Sequence, residues 1–241
     1  ATRDLGHTGK QTSVLGLGGF HQVEALQETV DSVVERYLAA GGNYIETARS
    51  YGRGASEVKL GNALRGVDRQ AYMLASKTAA RTADAAWKEL NQSLEALRTD
   101  HLDIWFFHGV NDAATVKQLT EPGGALEAFV RARDEGLATF FGLSSHWPLT
   151  YIEAARRLPL DVVLIWGNYL DFCNFPEIPK VVLPALRAER IGVIFMKPFA
   201  DGYLYRSPDL ALRYALAQDV DCVVAGFNSP DMLETDLAVC A

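Results

Sequence analysis

Short apolar segments alternate with helix-like segments along almost the whole chain, and this alternation constrains the fold more than any other feature. The helix-like segments repeat apolar residues at helical spacing, as Ala86, Leu90 and Leu94 do. The apolar segments have the pattern of strands buried on both faces, and they lie at 14–18, 43–48, 71–77, 101–108, 138–144, 161–166, 191–196 and 222–227. Eight such repeats predict an α/β fold, a (β/α)8 TIM barrel, in preference to a doubly wound parallel sheet.

The first residues and the connections predict how the barrel is completed. Residues 3–18 alternate loosely around a His-Thr-Gly-Lys sequence, which predicts a short N-terminal β-hairpin. No linker or break in composition follows, so we predict a single domain over residues 1–241. The longest connection, 109–124, is expected to be a loop over the active face. The chain ends at Ala241, and we expect either an open pocket or one covered by this loop.

Composition excludes several classes of partner. The formal net charge is −7, and no block of like charges provides the basic face that nucleic acid requires. No apolar run reaches the ~18 residues of a membrane helix, and the first residues lack the apolar core of a signal peptide. The three cysteines show no metal-ligand spacing and indicate free thiols in a reducing compartment. We therefore predict a cytoplasmic protein with no metal, nucleic-acid partner or membrane partner, while the oligomeric state stays open.

Chemically useful side chains lie at the ends of three consecutive predicted strands. The first of these strands carries Glu46 and is followed by Tyr51, the second ends in Lys77, and the third ends in His108. The carboxyl ends of parallel strands meet at one face of a barrel, so we expect the four side chains to lie close together. Considered separately, each residue also has a purely structural explanation. Glu46 and Lys77 could form a structural ion pair, Tyr51 could fill space beneath a loop, and His108 could be a core histidine.

Together, the four groups suit the reduction of a carbonyl. A phenol has an ordinary pKa of ~10, which makes it a weak proton donor near neutral pH. A neighbouring ammonium lowers that pKa, so we predict that Lys77 lowers the pKa of Tyr51 and that Tyr51 donates the proton. Glu46 would hold Lys77, and His108 would orient the carbonyl oxygen or relay the proton. None of these groups can donate hydride, so a cofactor must supply it.

Several motifs, in the same order along the chain, resemble the aldo-keto reductases. They are Gly41-Gly-Asn-Tyr-Ile-Glu-Thr-Ala-Arg-Ser-Tyr-Gly52, Ser56-Glu57 with Leu60-Gly61, Ala75-Ser-Lys-Thr78, Leu102-Asp103 with His108, Gly142-Leu-Ser-Ser-His146, and Met196-Lys-Pro-Phe199. The resemblance implies a (β/α)8 barrel and a nicotinamide cofactor, usually NADPH. It also implies a catalytic tetrad, which maps to Glu46, Tyr51 as general acid, Lys77 and His108.

The resemblance also implies cofactor-binding positions, and some of them depart from the family pattern. Glu46 stands where the family usually has aspartate, and Ser145 stands where many relatives have asparagine. The positions implied for the cofactor are Ser144, Ser145, Asn168, Met196, Lys197, Gly226 and Asn228. Residues 226–232 resemble the region that binds the adenosine phosphate, but they contain no Lys or Arg to pair with a 2′-phosphate. The resemblance favours NADP(H) over NAD(H), and this departure leaves the choice open.

We predict an NAD(P)-dependent oxidoreductase that reduces an aldehyde or ketone, or oxidises the corresponding alcohol, with a small molecule as its partner. Two alternatives stay open. One is a non-redox lyase or isomerase on the same barrel, in which Tyr51, Lys77 and His108 transfer protons. Glu46 in place of the usual aspartate and the incomplete cofactor motif motivate this alternative. The other is a cofactor-binding regulatory subunit that retains the fold. The loops after the strands set the substrate, and the sequence does not identify it.

Overall fold

Eight parallel strands close into a barrel in the computed structural model, which describes residues 1–240. In chain order they are β3 (Leu15–Gly18), β4 (Tyr44–Glu46), β5 (Met73–Thr78), β6 (Leu102–Phe107), β7 (Ala138–Ser144), β8 (Val162–Trp166), β9 (Gly192–Met196) and β10 (Cys222–Gly226). The last strand pairs with the first, with Val223 opposite Leu15 and Gly226 opposite Gly18. The predicted (β/α)8 barrel is therefore confirmed, and an open doubly wound sheet is excluded.

A two-stranded antiparallel hairpin precedes the barrel, as predicted. It pairs β1 (Thr2–Asp4) with β2 (Gln11–Ser13). Leu5 follows β1, is fully buried and belongs to the apolar cluster inside the barrel. Its side chain packs against Gly192, the first residue of β9. The hairpin therefore covers the amino ends of the strands, opposite the rim where their carboxyl ends lie.

Ten α-helices accompany the strands within residues 1–240. They are α1 (Gln27–Ala39), α2 (Ala55–Ala63), α3 (Ala83–Leu97), α4 (Ala113–Thr120), α5 (Ala125–Asp134), α6 (Thr150–Arg157), α7 (Tyr169–Asn174), α8 (Leu183–Ala188), α9 (Pro208–Leu216) and α10 (Pro230–Cys240). The prediction that 109–124 is a loop is wrong, because it contains α4. Asp112 caps α4 by accepting the Thr115 N–H at 2.7 Å, and Val116 and Leu119 are buried. Two apolar positions are too few to show a helical period in the sequence.

Side chains of β6 show why the barrel strands are apolar on both faces. Ile104 and Phe106 belong to the cluster inside the barrel, whereas Trp105 and Phe107 belong to the layer between barrel and helices. Trp105 and Phe107 both stack on Phe129 of α5, with ring centroids 3.8 Å apart. Each buried aromatic of this kind contributes about 1.5–3 kcal/mol of burial free energy, so this pattern fixes β6 in the wall.

No helix formed by residues 1–240 is both long and apolar enough to span a membrane. The same residues contain no cluster of three or more His, Cys, Asp or Glu side chains arranged to hold a metal ion.

Candidate active site

The four predicted catalytic side chains lie together at the carboxyl rim of the barrel. Lys77 Nζ donates to the carboxylate of Glu46 and to the backbone oxygen of Thr47, the latter at 2.9 Å. Lys77 Nζ also lies 3.3 Å from the phenol oxygen of Tyr51. The ring of His108 meets the ring of Tyr51 edge to face, with centroids 5.7 Å apart. Three neighbouring strands thus bring all four groups to one place.

Lys77 is a buried ammonium whose three protons each face an acceptor. Its side chain is 1% exposed. Burial acts to lower the pKa of Lys77, but Glu46 and Tyr51 outweigh it, and the pKa of Lys77 lies above its ordinary value. Lys77 therefore stays charged near neutral pH. Glutamate in place of the family's aspartate still reaches the ammonium, so the extra methylene does not separate the pair.

The pKa of the Tyr51 phenol is higher than the sequence predicted. Burial raises the pKa of Tyr51, Lys77 acts in the opposite direction, and Glu46 adds to the rise. The predicted lowering of the Tyr51 pKa is therefore wrong for the net value, because burial outweighs the nearby ammonium. The phenol is protonated near neutral pH, which is the state that a proton donor requires.

The turn that carries Tyr51 has an unusual backbone. Gly52, Arg53 and Gly54 all have positive φ angles, 58°, 56° and 94°. The guanidinium of Arg49 lies where a side chain at position 54 would begin, and the φ angle of 94° favours glycine at this position. Arg53 is a non-glycine residue in the left-handed region, a conformation that persists only where the surroundings enforce it.

His108 is a neutral imidazole held in a defined orientation. Its Nδ1 lies 3.2 Å from the Ser50 hydroxyl. Its backbone N–H donates to Thr78 at 2.8 Å, and its backbone oxygen accepts from Arg81 at 2.7 Å. Burial, reinforced by the charge of Lys77, lowers the pKa of His108 to about 3. Ser50 was missed in the sequence, where its only signal is its position next to Tyr51.

The His108 ring is expected to stay neutral at pH 5, as measured by NMR of its ring nitrogens. Because its pKa is depressed in the folded state, the stabilisation it gives is complete above an ordinary histidine pKa of ~6.5. That stabilisation is lost as the pH falls toward 3. At about 1.4 kcal/mol per pKa unit, the free energy of unfolding falls by on the order of 5 kcal/mol. The same ring in urea-unfolded protein is the reference, and a folded-state midpoint near 6.5 would contradict this expectation.

Three of the residues implied for cofactor binding have side chains that are already hydrogen-bonded to other residues of the protein. Ser144 Oγ accepts from the Gly109 N–H at 3.2 Å. Ser145 Oγ accepts from the Trp147 N–H at 2.9 Å, and both serines are buried. Asn168 caps α7 by accepting the Asp171 N–H at 2.9 Å. It also donates to the backbone oxygen of Lys197 at 2.8 Å. These side chains shape the rim between β7 and β9.

Met196 and Lys197 lie at the end of β9, beside the end of β8. Met196 pairs in register with Trp166, and both are partly buried. Lys197 has a φ of 58°, and its ammonium pairs with the carboxylate of Asp201 at 2.9 Å. His146 stacks on Trp166, with ring centroids 5.3 Å apart.

Gly226 and Asn228 lie where β10 leads into α10. A side chain at position 226 would overlap the ring of His21, so His21 packs directly on this glycine. Sequence reasoning left His21 aside because nothing near it in the sequence pointed to the site. Asn228 is exposed. Ser229 Oγ accepts from the Met232 N–H at 3.3 Å and so uses one N–H at the start of α10.

A buried donor without a partner marks the part of the rim beside Met196. The indole nitrogen of Trp166 is buried and has no hydrogen-bond partner among residues 1–240. Such groups are rare in native proteins and call for an explanation, and an acceptor on a bound ligand is one such explanation. The residues present therefore fit a nicotinamide nucleotide at this side of the rim. Residues 226–232, which the resemblance places at the adenosine phosphate, carry no cation to pair with a 2′-phosphate.

The sequence matches the family model described as Aldo/keto reductase family over residues 14–208. The enzymes of this family have a barrel of this fold and carry an ammonium, a carboxylate, a phenol and an imidazole at its rim. The chain therefore belongs to the aldo/keto reductase family, which confirms the resemblance seen in its motifs. The family and its oxidoreductase relatives support an NAD(P)H-dependent oxidoreductase.

Individual relatives are distant. The uncharacterized oxidoreductase YqkF of Bacillus subtilis is 28% identical over 222 residues, covering 86% of this chain and 67% of the relative. L-galactose dehydrogenase of Arabidopsis thaliana is 27% identical over 280 residues, covering 98% of this chain and 86% of the relative. The solved structure of an aldo-keto reductase from Klebsiella pneumoniae in complex with NADPH has a TM-score of 0.84 at 19% identity. It covers 99% of this chain and 89% of that chain, a likeness that shows the fold.

Proposed function

We propose that this protein reduces an aldehyde or ketone, or oxidises the corresponding alcohol, with Tyr51 as the general acid or base. The observation that carries the proposal is the contact at 3.3 Å between the Tyr51 phenol and the buried Lys77 ammonium. A phenol placed against a fixed positive charge is suited to giving up a proton in a controlled direction. A bound nicotinamide nucleotide would supply or accept the hydride.

Tyr51 and Lys77 act as one unit. In reduction, the Tyr51 O–H bond breaks and its proton passes to the substrate oxygen, which leaves a phenolate. The Lys77 ammonium stabilises that phenolate because its charge is already in place and needs no rearrangement. Glu46 keeps Lys77 charged and oriented. In oxidation the same groups act in reverse, and Tyr51 accepts the proton.

His108 orients the substrate in this proposal without competing as an acid. A neutral imidazole has one N–H and one acceptor nitrogen. Ser50 engages Nδ1, and Nε2 makes no hydrogen bond in the part of the chain that the structure describes. Nε2 is thus the nitrogen left for the substrate oxygen. Since His108 is not an imidazolium near neutral pH and its remaining N–H is too weak an acid for its proton to be transferred, the proton comes from Tyr51.

The cofactor would be held along the rim from β7 to β10. We propose that Ser144, Ser145 and Asn168 act mainly by fixing the loops there, since their side chains already have partners. Contacts would come from Met196, Lys197, Gly226 and Asn228, with the free Trp166 N–H as an additional donor. NADP(H) stays the favoured nucleotide from family membership, although 226–232 offers no cation for its 2′-phosphate.

Calorimetric titration of the protein with NADPH and with NADH tests the proposal directly. We expect binding in the micromolar range, together with carbonyl-dependent oxidation of the bound nucleotide. Because one relative is an L-galactose dehydrogenase, the substrate panel includes aldoses with NADP⁺ and NAD⁺, besides aliphatic and aromatic aldehydes. ADP-ribose, which lacks the nicotinamide ring, is the control ligand. No binding of either nucleotide at millimolar concentration would contradict the proposal and favour a non-redox proton-transfer enzyme.

The single domain over residues 1–241 and the cytoplasmic location stay predictions. Pairing of β3 with β10 supports the first, because it joins opposite ends of the chain in one sheet.

A further inference from the structure

A second buried carboxylate lies directly behind the catalytic group and takes no part in the proposed proton transfer. Glu57, in the first turn of α2, is fully buried. Both of its oxygens accept hydrogen bonds, Oε1 from the Ser76 hydroxyl at 2.7 Å and Oε2 from Arg49 Nη1 at 3.0 Å. A buried charge is costly unless it is paired and hydrogen-bonded, and Glu57 meets both conditions.

The two partners of Glu57 belong to the elements that carry the catalytic pair. Ser76 precedes Lys77 in β5, and adjacent strand residues point to opposite faces. Lys77 therefore faces the mouth of the barrel while Ser76 faces α2. Arg49 lies two residues before Tyr51, and its backbone N–H donates to the backbone oxygen of Lys77 at 3.1 Å. Glu57 thus ties the strand of Lys77 to the loop of Tyr51.

The guanidinium of Arg49 packs directly against the turn that carries Tyr51. The guanidinium of Arg49 fills the space beside Gly54 that a side chain would otherwise occupy. Gly52, Arg53 and Gly54 form a left-handed run against it, and Arg53, the non-glycine residue of the run, needs its surroundings to hold it in this conformation. Removing the carboxylate of Glu57 frees the guanidinium and with it the support of the turn. The start of α2 further favours a negative charge at Glu57.

We propose that Glu57 is a positioning residue that fixes the separation of the Tyr51 phenol from the Lys77 ammonium, acting through Arg49 and Ser76. This inference rests on the proposed role of Tyr51 as general acid. The phenol and ammonium are 3.3 Å apart, and a displacement of about 1 Å in a catalytic group can lower a rate about 100-fold.

Glu57→Gln tests the inference because it preserves size while replacing one acceptor oxygen with a donor. An amide at this place cannot accept from both Ser76 and Arg49. We expect faster hydrogen exchange at the backbone amides of residues 49–55, measured without nucleotide or substrate. With nucleotide and a carbonyl substrate, we expect kcat to fall about 10- to 100-fold and nucleotide affinity to stay unchanged.

Asp103→Asn is the matched control for a general loss of stability. Asp103 accepts from Arg69 Nη2 at 2.6 Å and from the Leu74 N–H at 2.8 Å. It lies near the amino end of β6, away from the rim. We expect Asp103→Asn to lower the melting temperature while leaving exchange at 49–55 and kcat as in the wild type. Arg49→Lys changes the other partner of the ion pair with Glu57, at a partly exposed position. We expect this variant also to have faster hydrogen exchange at residues 49–55.

Unchanged exchange at 49–55 in both Glu57→Gln and Arg49→Lys would overturn the inference, and so would an equal change in Asp103→Asn. If Glu57→Gln does not fold, unchanged hydrogen exchange at residues 49–55 in Arg49→Lys is by itself enough to overturn the inference. Because exchange needs no turnover, it decides the role of Glu57 in the turn even if the protein proves to have no reductase activity. A lack of reductase activity would contradict the proposed function but not the role of Glu57 in the turn.

Discussion

Replacing Tyr51 with phenylalanine is expected to lower kcat/KM for carbonyl reduction by about 10²- to 10⁴-fold, the range that general acids supply. The change removes only the phenol oxygen. Ring contacts with Phe20 at 5.2 Å and His108 at 5.7 Å remain available, so the turn keeps its packing. Lys77 loses one of its three acceptors, at a cost in the free energy of unfolding of about 1–3 kcal/mol. Nucleotide affinity, measured by calorimetry, should stay the same.

Tyr44→Phe provides the control for removing a buried tyrosine hydroxyl near the same carboxylate. Tyr44 lies in β4, two residues before Glu46, and its hydroxyl is buried without a partner among the described residues. Loss of an unsatisfied hydroxyl should leave activity unchanged and should not destabilise the protein. Full activity of Tyr51→Phe, or an equal loss in both variants, would show that Tyr51 is not the proton donor.

Replacing Lys77 with methionine is expected to produce the largest loss of stability among single changes at the site. The carboxylate of Glu46 is about 5% exposed and would be left without its counter-charge. Breaking a buried ion pair by removing one partner costs about 3–5 kcal/mol in the free energy of unfolding. Activity should fall as well, because nothing would then stabilise the Tyr51 phenolate. Denaturant unfolding measures the first effect and steady-state kinetics the second.

The double variant Lys77→Met with Glu46→Gln separates these two effects. Removing the stranded carboxylate should restore much of the lost stability, since a buried pair replaced by neutral groups is often tolerated. Activity should stay at the level of the single variant. Recovery of activity in the double variant would mean that Lys77 serves only to neutralise Glu46 and has no part in the proton transfer.

The barrel was predictable because central parallel strands are apolar on both faces. β6 shows this best, with Ile104 and Phe106 facing inward and Trp105 and Phe107 facing outward. No such signal marks α4 and α7, whose packing rests on one or two apolar side chains each. Their capping residues, Asp112 and Asn168, become readable as caps only once the following turns are known to be helical.

The site residues could be predicted where chemically useful side chains lie at the ends of strands. Glu46, Lys77 and His108 lie at such ends or directly after them, whereas Glu57 lies in a helix and resembles an ordinary residue of its first turn. Its burial comes from Ser76 and Arg49, which pack on it from other elements. The net pKa of Tyr51 was mispredicted for a related reason, because the degree of burial that raises it depends on the packed structure.

The wall of this barrel is completed by strands from opposite ends of the chain, since β3 pairs with β10. Closing a loop costs chain entropy that grows slowly with loop length, and contacts between distant segments slow folding. Until the two strands meet, each is an unpaired edge that another molecule could add to. The pairing of β3 with β10 that closes the barrel therefore also sets how long a newly made chain stays exposed to aggregation.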